Sequence, residues 1–189
     1  LDSINMLARK NDDIQVALMV TNLSRLFRLS LNRGRDVITV REEMMQVTYY
    51  LKIQKFRFEE QLDWNINFDD EILEYRMLKF IMQPLVENAI YHGIKSKNEY
   101  GKLTIRGYKD KNMLIFVIKD TGKGMDEDTL TKLYQRINEK KRDEKENRGY
   151  GIWNVNHIIK LYYGEQYGLQ IDSIVDKGTS IYIKIPAEI

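Results

Sequence analysis

Residues 113–125 of the sequence, MLIFVIKDTGKGM, join an apolar stretch to a carboxylate and two glycines two positions apart. The part 113–120 alternates like a half-buried strand, so that Asp120 stands at the end of the strand. Gly122 and Gly124 leave the following backbone without side chains, which lets another group approach it closely. Asp before Thr-Gly also commonly closes a turn. The residues alone therefore leave two interpretations, a binding position at the mouth of a sheet or an ordinary turn.

The sequence around this strand predicts further strands and helices. Alternating hydrophobicity predicts strands at 62–68, 102–109, 169–175 and 180–186, and the residues at 110–112 are typical of a hairpin turn. Apolar residues at helical spacing predict helices at about 77–92, 127–138 and 150–163. Strands linked by hairpins, with helices inserted between them, predict an α+β fold in which helices cover one face of a mixed sheet.

Two helical patterns precede the strands. Apolar residues recur every three or four positions over 14–31 and again from about 41 to 60, with Gly34 as a terminator between them. The first stripe comprises Val16, Met19, Val20, Leu23, Leu26, Phe27 and Leu31, and the second comprises Val40, Met44, Val47, Leu51 and Phe58. Such stripes are most often ordinary core. The alternative is a helical hairpin that packs on a partner chain.

The composition, with 43% hydrophobic and 31% charged residues in 189, is typical of a globular protein. The net charge of +2 gives no reason to expect a nucleic-acid partner. The sequence has no cysteine, which excludes disulfides and thiolate metal sites. No apolar run approaches the roughly 20 residues that span a bilayer. The stretch NEKKRDEKENRG at 138–149 has no apolar residue, and we expect a mobile, solvated loop there.

The stretch QPLVENAIYHG at 83–93 places Asn88 and His92 four residues apart, on one side of a predicted helix. An asparagine amide oxygen is a suitable ligand for a hard cation such as Mg²⁺. Taken alone, however, Asn88 is more often structural, and His92 is more often an ordinary polar residue than a ligand.

Two more glycine motifs follow. In RGYGIWNVNHII at 148–159, Gly149 and Gly151 lead into a predicted helix, whose free N–H groups and dipole favour an anion. In KGTSIYIKI at 177–185, Gly178 and Thr179 enter the last predicted strand. Each motif alone is typical of a turn, and only their order along the chain argues for a site.

That order and spacing resemble the N, G1, G2 and G3 boxes of the GHKL ATP-binding superfamily, which includes gyrase B, Hsp90, MutL and the histidine kinases. The resemblance covers residues 62–186. The stretches QPLVENAIYHGIK, GIWNVNHIIKLYYGEQYGLQI and YYLKIQKFRFEEQLDWNINFD further resemble sensor histidine kinases of the LytS/YesM type. The resemblance implies a two-layer α/β sandwich over 61–189 that binds ATP, preceded by a helical remnant of the dimerisation and phosphoacceptor region at 1–60.

The resemblance also assigns residues to the nucleotide. It implies that Asp120 accepts a hydrogen bond from the adenine amino group and that Thr179 reaches the adenine. It places Asn88 on Mg²⁺ against the phosphates, and His92 near the phosphates or the base. The other cofactor-binding positions that it implies lie in the glycine motifs after the predicted strand at 113–120 and at 148–159: Gly122, Gly124, Gly149, Tyr150, Gly151 and Ile152.

The expected reaction is transfer of the γ-phosphoryl group of Mg·ATP to a histidine, and then to a response regulator. The opening LDSIN resembles the end of the segment that carries the acceptor, so we expect that histidine just before Leu1 and assign no catalytic residue here. Pro84 stands where hydrolases of the superfamily carry a water-activating glutamate, which disfavours ATP hydrolysis. The other alternative is a nucleotide-binding regulatory module without kinase activity.

The resemblance further implies that the full-length protein is a homodimer and that nucleic acid is not a partner. It implies a cytoplasmic region, linked to a bacterial membrane only through upstream segments.

Overall fold

A computed structural model describes residues 13–31, 34–58, 61–97, 99–139 and 150–188. Two helices come first, α1 (Ile14–Leu31) and α2 (Val40–Phe58), with the short strand β1 (Val37–Thr39) between them. The remaining elements, in chain order, are β2 (Leu62–Phe68), a 3-10 turn (Asp70–Ile72), β3 (Arg76–Leu78), α3 (Gln83–Asn88), a π-helical turn (Ala89–Ile94), a last helical turn (Lys95–Lys97), β4 (Gly101–Asp110), β5 (Met113–Asp120), α4 (Glu127–Ile137), α5 (Tyr150–Tyr163), β6 (Gly168–Ile174) and β7 (Gly178–Pro186).

Five of these strands form one mixed sheet in the order β2-β4-β5-β7-β6. The β2–β4 pair is parallel, whereas the other three pairs are antiparallel. The expected α+β fold is confirmed, and so is the hairpin turn, since Asp110 pairs with Met113 across it. The register places Leu103 opposite Asp120, so that the end of β5 lies beside the start of β4 in the sheet.

One face of the sheet carries the core. Along β4 and β7, buried and less buried positions alternate, as expected for strands that are covered on one side. The π-helical turn and α5 contact strands of this sheet, and α2 contacts β2. The resulting two layers share one cluster of buried side chains, which runs from Val40 on α2 to Ile185 on β7.

The two N-terminal stripes have different surroundings. On α2, Val40, Val47 and Leu51 are buried in the main core, as the ordinary interpretation predicts. On α1, only part of the stripe is covered, because the helix packs against α2 and its outer side stays open. Phe27 is 52% exposed and Leu31 is 74% exposed. For α1, therefore, the expectation of an ordinary core stripe is wrong in this chain.

The helix predicted over 77–92 begins later and ends later than expected. Met77 and Leu78 belong to β3, which pairs antiparallel with β1, and the helix starts only at Gln83. Pro84 lies in its first turn, where a missing N–H leaves no helical hydrogen bond unmade. Apolar periodicity alone does not distinguish a three-residue strand from a helical turn.

None of the helices in the described ranges is long and apolar enough to cross a membrane. The expected mobile loop at 138–149 lies outside the described residues, apart from its first two positions.

Candidate functional site

Asp120 lies at the end of β5 with only 3% of its surface exposed. Its Oδ1 accepts the backbone N–H of Gly122 at 2.8 Å, which fixes the orientation of the carboxylate. The interpretation of Asp120 as a turn-closing residue is therefore correct as far as it goes. A solvated turn, however, does not need a carboxylate that is almost fully withdrawn from water.

Burial raises the pKa of Asp120 from 3.8 to about 6. The backbone N–H groups of Gly122 and Thr179 oppose this shift, because they stabilise the charged form. At pH 7.5 the carboxylate is therefore ionised, and an ionised carboxylate only accepts hydrogen bonds. The position suits a ligand that presents a donor.

This pKa predicts how Asp120 affects stability. The folded protein holds the Asp120 proton more tightly than the unfolded chain does. The contribution of Asp120 to the free energy of unfolding is therefore fully present below pH 3.8 and is lost as the pH rises through about 6. The difference between the two pKa values corresponds to roughly 3 kcal/mol. We expect Asp120→Asn to gain stability relative to the wild type across this window, as measured by urea denaturation at pH 4 and pH 7. A constant difference between the two proteins at both pH values would contradict this prediction.

Three glycines let other backbone segments pack closely against Asp120 and the turn that follows it. A Cβ at Gly93 would lie 2.7 Å from Asp120 Oδ1, and a Cβ at Gly122 would lie 2.2 Å from the Gly93 carbonyl carbon. A Cβ at Gly178, whose φ is +104°, would lie 2.0 Å from the carbonyl oxygen of Asp120. Since no side chain fits in these places, the turn after β5 is enclosed between the end of the π-helical turn and the start of β7.

Backbone hydrogen bonds hold this enclosed turn on both sides. The Lys123 N–H donates to the Gly93 carbonyl at 3.2 Å, and the Lys123 carbonyl accepts from Asp176 at 2.7 Å. The Met125 N–H donates to Ser173 Oγ at 2.8 Å, and that hydroxyl lies 2.9 Å from Thr179 Oγ1. The Thr179 backbone N–H also bonds to the Asp120 carboxylate, so the two residues are adjacent.

Asn88, at the end of α3, is the second polar residue of the candidate site. One N–H of its Nδ2 donates to the Pro84 carbonyl at 2.7 Å, which fixes the orientation of the amide, and Oδ1 is the atom of this side chain that can ligate a cation. A Cβ at Gly151 would lie 3.0 Å from this Nδ2, so the first turn of α5 lies directly against Asn88. The predicted motifs at 83–93 and 148–159 therefore meet here. The π-helical turn Ala89–Ile94 connects Asn88 to Gly93, which packs against Asp120.

The other predicted residues have different positions. His92 is exposed on the π-helical turn. Ile152 is buried in the core, so only its backbone is available to a ligand. Tyr150 begins α5, and Gly149 lies outside the described residues. Gly124 has a φ of +63° and faces the β6–β7 turn, where its absent Cβ would overlap the Ile174 carbonyl oxygen.

Sequence reasoning did not assign three residues of this arrangement to the site, although one of them, Gly178, stands in a recognised glycine motif. Gly93 and Gly178 are as closely packed around Asp120 as Gly122 is, and Ser173 bridges the turn to Thr179. A glycine inside an apolar helical pattern is a recognisable signal of close backbone approach, and Gly93 has it. Ser173 carries no such signal, because its role depends on the β6–β7 register.

The model of the family described as "Histidine kinase-, DNA gyrase B-, and HSP90-like ATPase" matches residues 74–189. The chain belongs to this family. A second model, described as "Histidine kinase", matches residues 1–62. The family model thus matches the part of the chain that contains both Asn88 and Asp120. The resemblance to sensor kinases of the LytS/YesM type is confirmed by these models and by the relatives below.

Individual relatives agree with this assignment. The sensor histidine kinase YesM of Bacillus subtilis (strain 168) is 37% identical over 186 residues, which are 98% of this chain and 30% of that protein. The sensor protein LytS of Bacillus anthracis is 26% identical over 190 residues, which are 100% of this chain and 31% of that protein. The chain therefore spans about a third of the length of these curated relatives.

Solved structures show the same fold. The nucleotide-free catalytic domain of the histidine kinase ThkA aligns with a TM-score of 0.60 at 17% identity, covering 81% of this chain and 97% of that domain. ThkA in complex with the response regulator protein TrrA aligns with a TM-score of 0.55, also at 17% identity, covering 91% of this chain and 49% of that chain.

Proposed function

We propose that this chain is the ATP-binding catalytic region of a two-component sensor histidine kinase. It binds Mg·ATP and donates the γ-phosphoryl group to a histidine, from which a response regulator receives it. The observation that carries the proposal is the buried, ionised carboxylate of Asp120 at the end of β5, held in a turn whose glycines let neighbouring backbone pack directly against it.

Adenine is the base that fits Asp120. Its exocyclic amino group donates hydrogen bonds, and an ionised carboxylate accepts them. Guanine presents a carbonyl oxygen at the equivalent position, and two facing acceptors leave both groups unpaired. A buried unpaired polar group costs about 1–3 kcal/mol, which is enough for strong discrimination against guanine.

Asn88 and Gly151 fit the phosphate end of the nucleotide. The hydrogen bond to the Pro84 carbonyl fixes the orientation of the Asn88 amide, and the oxygen of this amide is a ligand type that Mg²⁺ accepts. The N–H groups in the first turn of a helix have no partner within the helix, and these groups and the positive end of the helix dipole, here at the start of α5, both favour phosphate oxygens. Gly151 leaves room for Asn88 at this turn, so one ligand can contact both.

The chemistry asks for positioning and charge neutralisation rather than for a base. A histidine nitrogen forms a bond to the γ-phosphorus while the bond from that phosphorus to the β–γ bridging oxygen breaks, and ADP leaves. Mg²⁺ supplies neutralisation of the phosphate charge when bound. Glu87, next to Asn88, accepts a hydrogen bond from Gln83 at 3.0 Å, and we assign it no role in activating water.

The partners are proposed on the same basis. ThkA has been solved with a response regulator, and a protein of that class is the expected phosphoryl acceptor here. We also propose a homodimer for the full-length protein and a membrane attachment through other segments of it. The exposed apolar side of α1, with Phe27 and Leu31, is compatible with contacts to a second helix pair.

The test is calorimetric titration of the chain with ADP and GDP in the presence of Mg²⁺. We expect saturable binding of ADP and at least about tenfold weaker binding of GDP, in keeping with the cost of an unpaired polar contact. Equal affinities for the two nucleotides would exclude an adenine site at Asp120.

A second measurement addresses the acceptor. The sequence contains two histidines, His92 on the π-helical turn and His157 on α5, and the ring of His157 stacks on Trp153 at 4.8 Å. We expect neither to be the acceptor, so the chain should stay unlabelled when it is incubated with γ-labelled ATP. Acid-labile phosphate on either histidine would show that the assignment of the acceptor is wrong.

A further inference from the structure

Glu43 on α2 is a buried carboxylate with a well-defined role in the backbone geometry. It is 0% exposed, and its two oxygens accept backbone N–H groups from another part of the fold. Oε1 accepts from Met82 at 2.9 Å, and Oε2 accepts from Phe80 at 3.0 Å. Both donors lie in the turn that connects β3 to α3.

That turn is held from several sides. Besides the two bonds to Glu43, the Leu78 N–H donates to the Tyr163 hydroxyl at 3.0 Å, and the Lys79 N–H donates to the Asp36 carbonyl at 3.0 Å. Phe80 has a φ of +60°, which is unfavourable for a bulky residue and persists only where the surroundings impose it. The turn therefore has a conformation that its own sequence does not favour.

A short chain of hydrogen bonds leads from this turn to Asn88. Met82 is the N-cap of α3 and has no side-chain cap of its own, so Glu43 supplies one from α2. The Met82 carbonyl accepts from Leu85 at 3.1 Å and from Val86 at 3.0 Å, which sets the first turn of α3. The Pro84 carbonyl in the same turn accepts a hydrogen bond from Nδ2 of Asn88.

The same helix α2 also contacts the segment after Asn88. The Tyr91 hydroxyl donates to Gln54 at 3.2 Å and accepts from Arg57 at 2.9 Å, and its ring packs edge-on against Phe58 at 5.9 Å. Asn88 therefore lies between two segments that α2 holds in place. A rigid element on both sides restricts where the amide oxygen can lie.

We propose that Glu43 is a positioning residue for the metal-bound nucleotide, holding Asn88 in place through the turn at 78–82 and the start of α3. This inference rests on the proposed function, since it assumes that Asn88 contacts Mg²⁺. Glu43 itself touches neither the nucleotide nor the metal in this account. Groups that orient a metal ligand without contacting the metal typically change metal affinity about 10- to 100-fold when they are replaced.

The test compares ADP affinity with Mg²⁺ and with EDTA, in the wild type and in Glu43→Gln. Glutamine keeps the shape of the side chain, but its amide nitrogen would face one of the two backbone N–H groups. We expect the Mg²⁺-dependent gain in ADP affinity to fall about tenfold in this variant. Affinity in EDTA should stay within about twofold of the wild type, because Asp120 and its glycines do not depend on Glu43.

Two further variants complete the design. Gln46→Ala is the matched control, since Gln46 is buried three residues further along α2 and its oxygen has no hydrogen-bond partner within the described residues. It should keep the wild-type Mg²⁺ dependence. Tyr163→Phe removes the acceptor of the Leu78 N–H from the same turn, and we expect a smaller loss of Mg²⁺ dependence. This variant decides the matter if Glu43→Gln does not fold.

The outcomes separate the inference from the proposed function. If the wild type does not bind ADP with Mg²⁺, the proposed function is wrong and this inference is wrong with it. If the wild type binds and Glu43→Gln keeps the full Mg²⁺ dependence, only the positioning role is wrong. A loss of equal size with Mg²⁺ and with EDTA would also contradict it, because that result indicates a general structural effect.

Discussion

Replacing Asp120 by asparagine should weaken ADP binding at pH 7.5 by at least about tenfold, because a hydrogen bond to a charged group contributes about 1.5–3 kcal/mol. The carboxylate is ionised at this pH, since its pKa is about 6. The loss should come without a loss of stability. Removing a buried carboxylate relieves the desolvation that raised its pKa, so the variant should be at least as stable as the wild type at neutral pH.

The variant should also change its base preference. The Gly122 N–H donates to Oδ1 of Asp120, and in the variant the amide oxygen is the only atom that can keep this bond. The amide nitrogen must then take the other position. There it meets the adenine amino group donor to donor, whereas it can donate to the carbonyl of guanine. We therefore expect the preference for ADP over GDP to shrink or reverse.

The measurement is titration of Asp120→Asn, a control variant and the wild type with ADP and with GDP. Asp110→Asn is the matched control, because it makes the same substitution at the other end of the β4–β5 hairpin. It should bind both nucleotides as the wild type does. If Asp120→Asn keeps wild-type ADP affinity, Asp120 only closes its turn, and the adenine site must lie elsewhere.

The long elements of the fold could be predicted because each of them carries a complete hydrophobic period. The strand at 62–68 and the helix at 14–31 match their expected bounds, and β5 ends at Asp120 as expected. The strand β3 could not be predicted, since three residues do not show a period and its pairing with β1 depends on long-range contacts. The π-helical turn is likewise absent from any local pattern.

The site divides in the same way. Its glycines and Asp120 stand in motifs that the sequence displays, so their spacing could be recognised before their contacts were known. Glu43 could not be recognised, because the sequence around it predicts an amphipathic helix but not which distant backbone groups a carboxylate on that helix would meet. Its buried carboxylate is explained by Phe80 and Met82, which lie 37 and 39 residues away along the chain. Side chains that satisfy distant backbone groups leave no local signal.

The largest effect on stability is expected at Gly124, and Gly34 provides its control. Both glycines have positive φ values, +63° and +76°, so alanine at either position bears the left-handed conformational penalty of about 1–2 kcal/mol. Their surroundings differ completely. A Cβ at Gly34 would meet no atom of the described residues within 4 Å, whereas a Cβ at Gly124 would lie 1.9 Å from the Ile174 carbonyl oxygen.

Gly124→Ala should therefore cost much more than Gly34→Ala. To relieve the overlap, the turn after β5 must move away from the β6–β7 turn, and the bonds of Lys123 to Asp176 and of Met125 to Ser173 are then lost. We expect Gly34→Ala to lower the free energy of unfolding by about 1 kcal/mol and Gly124→Ala to lower it by more than about 4 kcal/mol.

Urea denaturation of the two variants and the wild type measures the difference directly. Where Gly124→Ala still folds, ADP titration should show that it binds weakly, because Asp120 and Thr179 face the same turn. Gly34→Ala should bind ADP as the wild type does, since its position contacts neither the turn nor β7. Similar unfolding free energies for the two variants would mean that the β6–β7 turn does not lie against Gly124 in solution, and the enclosure of Asp120 on that side would have to be abandoned.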